Sequence, residues 1–170
     1  AQIVIIRAPR VPHLPGLRLA GVDERQLVWL QAETPAERLW STEQIVKANA
    51  FGLLVSWLPQ ARPEQVRRLQ VCAQGCDGPV FLCRPLQAGH EPSAAPLRLQ
   101  LRFDPDWQLH VELVKRKGPV HEGVLALDSV PSGLEPLITP RLRRPSELIA
   151  ARRRREVPND AVGSTATSLD

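Results

Sequence analysis

Leu27-Val28-Trp29-Leu30, then Thr34-Pro35-Ala36-Glu37, then Gly52-Leu53-Leu54-Val55-Ser56-Trp57-Leu58: these three stretches decide the fold. The first is a continuous apolar run and the last is apolar apart from Ser56, the pattern of strands buried on both faces. The middle one opens a helix. Thr34 can cap it, Pro35 fits its first position, and Glu37 can close a capping box. Ala36, Leu39, Trp40 and Val46 then mark one face of a helix running to about Ala50. Buried strands alternating with helices imply a mainly parallel sheet.

The same alternation continues on either side. Ile3 to Ala8 is a short apolar run closed by Pro9. Leu14, Leu17 and Ala20 follow at helical spacing, and Gly21 can supply a left-handed stop. Pro63 opens a further helix, with Val66, Leu69 and Ala73 on its apolar face and Gly75 as its stop. Pro79 to Arg84 reads as a fourth strand. Beyond it the period changes to two. Leu97, Leu99, Leu101 and Phe103 alternate with Arg98, Gln100 and Arg102. After Asp104-Pro105-Asp106, Trp107, Leu109, Val111 and Leu113 alternate with Gln108, His110 and Glu112. Two alternating runs across a short turn predict a β-hairpin with one wet face, at one edge of the sheet. Gly123 to Asp128 reads as a last short strand.

The chain has 170 residues, 43% apolar and 24% charged, which suits one domain with a packed core. No apolar run reaches the ~18 residues of a membrane helix. Three Cys form no paired framework, which points to the cytoplasm. There is no Met, and the chain opens directly on a strand-like run. We therefore expect the N-terminal part of the fold to lie upstream of Ala1. Residues 141–170 hold seven Arg against four acids, whereas residues 1–140 hold 15 basic and 14 acidic groups. The basic character thus sits in the tail. The expected organisation is a core over 1–128, followed over 129–170 by a Pro-rich linker and a basic, largely disordered tail with a short helix at 145–155.

The order of elements, with Leu19-Ala20-Gly21-Val22-Asp23 just before the strand at 27–30, resembles the middle of a RecA-type ATPase core. Val55-Ser56-Trp57-Leu58-Pro59, Phe81-Leu82-Cys83-Arg84-Pro85-Leu86 and Val114-Lys115-Arg116-Lys117-Gly118 are similar to the ImuA/SulA group of RecA-like proteins, and within it to the ImuA branch. The resemblance covers roughly residues 3–128. It implies an α/β, RecA-like fold and a role in mutagenic translesion synthesis during the bacterial SOS response to DNA damage. The implied partners are an ImuB-type polymerase-like protein, RecA, and through the complex an error-prone replicative-type DNA polymerase. DNA contact is weak or indirect, and no membrane is involved. Two departures bear on activity. Active members of the superfamily end the strand at 53–58 in an acid that holds Mg²⁺ through water, and Ser56 or Trp57 stands there. The strand end at Arg84 lacks the nucleotide-sensing amide. The phosphate loop would precede Ala1.

Several side-chain groups are candidate sites. The resemblance places Lys115 and Lys117, with Arg116 on the opposite side of the strand, where they could dock on RecA or on phosphate. The plain alternative is a solvated edge whose Lys blocks strand pairing. Arg98 and Arg102 form a basic row on the wet hairpin face, suited to phosphate or simply to solvent. Arg141, Arg143, Arg144 and Arg152, Arg153, Arg154 and Arg155 would attract a polyanion or an acidic protein face. No aromatic residue interleaves them, so base stacking is not supported. Leu142, Leu148 and Ile149 can give the short helix an apolar stripe for a partner. Cys72, Cys76 and Cys83 lack a fourth ligand at zinc-like spacing. No catalytic residue, cofactor or metal is expected. The leading expectation is a non-catalytic adaptor. A SulA-like inhibitor of the tubulin-like division protein and a RecA-type ATPase with an upstream phosphate loop are the alternatives.

Overall fold

The structure is a computed structural model that describes residues 1–119, 122–131 and 133–156. It has two sheets. Strands β1 (Ile3–Ile6), β2 (Leu27–Leu30), β3 (Leu53–Trp57) and β4 (Val80–Cys83) form an all-parallel sheet in the order β2-β1-β3-β4. Helices α1 (Leu14–Leu19), α2 (Pro35–Ala48) and α3 (Pro63–Ala73) occupy the three connections. The mixed α/β architecture is the one the sequence implies.

The capping box at Thr34 forms as its residue types dictate. Thr34 Oγ1 accepts from the Glu37 amide at 3.2 Å, and the Glu37 carboxylate accepts from the Thr34 amide at 3.1 Å. At its other end α2 closes on Asn49 in the left-handed region, φ 46°. Gly21 stops the first helix with φ 82°, as its residue type allows. Gly75 is not in that region, and α3 instead ends on Gln74 in right-handed geometry.

The parallel strands are not equally buried on both faces. In β1 and β3 full burial alternates with half-burial, because only one side carries the two long helices. On that side Val4, Ile6 and Leu54 pack with Val46, Phe51 and Ala32. A second cluster of Leu58, Ala61, Val66 and Leu69, joined by Leu39, knits α2 to α3 at the strands' C-terminal end.

The antiparallel strands do not extend this sheet. β5 (Arg98–Asp104), β6 (Gln108–Lys115) and β7 (Val124–Asp128) make a sheet of their own in the order β5-β6-β7. The 124–128 strand pairs with β6 from Gln108↔Asp128 to Glu112↔Val124, giving the hairpin a third strand instead of a place in the parallel sheet. The start of the hairpin is held by Arg98, whose guanidinium donates to the carbonyls of Ala88, Gly89 and Glu91. The chain ends its described part in α4 (Pro145–Glu156), where the short helix is expected. The lead-in to α4 is tied to the hairpin turn. Trp107 Nε1 donates to the Leu142 carbonyl at 3.0 Å, and the Asp106 carboxylate accepts from both the amide and the hydroxyl of Ser146.

Candidate functional site

The end of β3 is the first place to look for chemistry. Ser56 lies on the strand face that packs against α2, fully buried. Its hydroxyl meets that of Thr42 at 2.7 Å, and Thr42 in turn donates to the Arg38 carbonyl at 2.6 Å. The Ser56 hydroxyl is thus turned into the core and already partnered. Its neighbour Trp57 sits half-buried on the other sheet face. Arg84, just past β4, is turned inward as well. Its guanidinium donates to the Ala61 carbonyl and to Glu91, binding the β3–α3 loop to the turn after β4.

Beside this end lies a groove of about 660 Å³ between α2, α3 and the loop at 58–62. Trp40, Pro59, Gln60 and Arg62 line it, and Glu43 pairs with Arg68 along one wall. Trp40 is 64% exposed, not buried as its place among Ala36, Leu39 and Val46 suggested. The buried side chains of α2 are Thr42 and Val46. At roughly 100° per residue, Trp40 stands about 160° from Thr42 around the helix. The missed signal is polar: Thr42 occupies the core position because its hydroxyl is satisfied there by the Arg38 carbonyl and Ser56.

The second sheet carries an uncovered apolar surface. Register sets Leu99 opposite Leu113, Leu101 opposite Val111, Phe103 opposite Leu109, and the last two of these β6 residues opposite Leu125 and Leu127. These side chains share one face. Phe103 is 74% and Leu101 52% exposed, although the alternation marked them as an inner row. The alternation correctly sorted the two faces. It could not tell whether the apolar face meets another element of the same chain. The reverse face carries Gln100, Arg102, His110 and Glu112.

The basic candidates fall into three groups. Arg98 is spent on three backbone carbonyls, and Arg102 pairs with Glu112 at 3.3 Å. Lys115, Arg116 and Lys117 are exposed at the end of β6, with Lys115 Nζ donating to the Ser93 carbonyl. Arg141, Arg143 and Arg144 are exposed beside the hairpin turn, Arg144 pairing with Glu147. Arg152, Arg153 and Arg154 are exposed on α4, while the side chain of Arg155 lies outside the described residues. On the same helix Leu148 is half-buried and Ile149 is 47% exposed.

The three cysteines are free thiols, and burial pushes those of Cys76 and Cys83 above their usual range. Cys76 Sγ leans on the Val46 carbonyl at 3.3 Å. Among the described residues no cluster of His, Cys, Asp and Glu is arranged to hold a metal, and no helix is long and apolar enough to cross a membrane. No protein-family model matches the chain, and a search of curated proteins finds no match.

Proposed function

We propose that this chain is a non-catalytic, cytoplasmic adaptor of the RecA-like, ImuA kind, acting in the bacterial SOS response to support translesion DNA synthesis through protein–protein contacts. The observation that carries the reading is the environment of Ser56. Where a RecA-type ATPase needs an acid facing nucleotide-bound Mg²⁺, this strand has a hydroxyl buried against α2 and bonded to Thr42. A neutral, inward-facing group there supplies no charge to a dication. The exposed features are of the kind that bind other macromolecules: an apolar sheet face, a tryptophan-lined groove, and cations at Lys115–Lys117 and Arg141–Arg154. The partners are an ImuB-type polymerase-like protein and RecA, with an error-prone polymerase reached through the complex.

The test is direct binding of the purified chain to each partner, alongside an ATPase assay. Association with the ImuB-type protein is expected, weakened by Lys115→Glu with Lys117→Glu. ATP turnover above about 1 per minute, lost on changing residues near Ser56, would sink the adaptor reading. Binding to neither protein would sink it equally.

A further inference from the structure

We propose that the apolar face of the β5-β6-β7 sheet is the contact surface of a symmetric dimer, its occupant being the same face of a second copy of this chain. This surface would pair in the same way whether or not the chain is an adaptor. A sheet with one hydrophobic face must bury it against another layer, and among the described residues Phe103, Leu101, Leu125 and Leu127 remain 41% or more exposed. With Leu99 and the β6 residues between them, they form a contiguous patch of roughly 600 Å², at the top of the range for a monomer's largest patch. Pairing two such faces buries roughly 1,200 Å² in total, the lower bound for a stable specific interface.

Shape favours a sheet over a helix as the second layer. Three strands spaced about 4.8 Å apart present a surface roughly 14 Å wide. A single helix about 10 Å across covers about two of them and leaves one outer row bare. A second three-stranded sheet matches all three rows and completes a two-layer sandwich about 10 Å thick. The reverse face, with Gln100, Arg102, His110 and Glu112, stays in water.

Sedimentation equilibrium of the full chain from about 1 to 100 µM tests this, a window matched to micromolar affinity. The expected mass rises from 18.9 kDa to twice that value. Leu101→Lys combined with Phe103→Lys should hold the chain at 18.9 kDa, with an unchanged far-UV circular dichroism spectrum. Should that pair unfold the sheet, Leu125→Lys on the opposite edge strand should weaken dimerisation by at least about tenfold. A wild-type chain that stays monomeric throughout overturns the proposal, whether or not it captures an amphipathic helix at Phe103. So does a dimer that Leu125→Lys and the double substitution leave intact.

Discussion

The hydroxyls of Thr42 and Ser56 meet 2.7 Å apart with neither side chain reaching solvent. Thr42 gives its proton to the Arg38 carbonyl, so Ser56 is the donor within the pair. The contact links the middle of α2 to β3 by a polar bond inside an apolar layer, where each group would be costly alone.

That pairing predicts a graded series. Ser56→Ala removes one donor and leaves Thr42 still bonded to Arg38, at a cost of about 1 kcal/mol plus a small void. Thr42→Ala leaves the Ser56 hydroxyl buried without its acceptor and should cost about 1–3 kcal/mol. Ser56→Asp places a carboxylate in the same spot with no cation facing it and should cost roughly 3–5 kcal/mol. It should not create ATP hydrolysis, because the position faces α2. Urea unfolding midpoints check the order. A Ser56→Asp chain as stable as wild type would mean this strand face is not buried.

Trp40 and Leu69 should respond in opposite ways to truncation. Trp40→Ala removes a side chain that is 64% exposed and should change stability by no more than about 0.5 kcal/mol. Leu69→Ala opens a cavity where α2 and α3 join and should cost about 2–5 kcal/mol. Thermal melting of the two variants side by side decides. A large loss at Trp40 would restore the buried face that the spacing of Leu39, Trp40 and Val46 suggested.

Local chemistry was legible in the sequence, and long-range packing was not. Thr34, Pro35 and Glu37 act within a single turn, so their capping box could be read from the residues alone. The four parallel strands announce themselves as apolar runs, interrupted only by Ser56 in β3. Full burial on both faces did not follow, because it depends on which layers the rest of the chain supplies. The hairpin's two faces were sorted correctly by alternation, yet its attachment was not. Arg98 looked like a free cation because carbonyls at 88–91 leave no mark in the residue pattern. The Asp106–Ser146 tie joins residues forty apart, and nothing local to either announces the other.

Acid should weaken the start of α2. Two backbone amides, those of Thr34 and Glu33, bond the Glu37 carboxylate and hold its pKa below the ordinary 4.5. The depressed folded-state pKa means that the contribution is fully present above the ordinary value. It is lost as pH falls through the lowered one. Asp106 behaves in the same sense from its ordinary 3.8, through its two bonds from Ser146. Glu37→Gln should therefore be less stable than wild type at neutral pH and lose less on acidification below about pH 4.5. Urea midpoints measured across that range test it. Parallel pH profiles for the two proteins would show that the carboxylate bonds carry no linkage.

The segment from Arg141 onward should contribute both to the fold and to binding. Leu142 accepts the Trp107 indole N–H, and Ser146 makes two bonds to Asp106, so the lead-in to α4 braces the β5–β6 turn. The Trp107 bond is exposed and the two Ser146 bonds are part-buried, which keeps each within a hydrogen bond's ~0.5–1.5 kcal/mol. Deleting residues 141–170 should lower the melting temperature by about 2–6 °C, and Ser146→Ala alone should account for only part of that drop. The deletion also removes seven Arg. Association with the polymerase-like partner or with DNA should weaken, and its salt dependence should flatten, because fewer ion pairs form and fewer counterions are released. Loss confined to DNA binding would assign the arginines to phosphate. Loss confined to the protein partner would assign the role to Leu148 and Ile149 on α4. A truncated chain that melts unchanged and binds every partner equally well at every salt concentration would reduce the segment to a solubilising end.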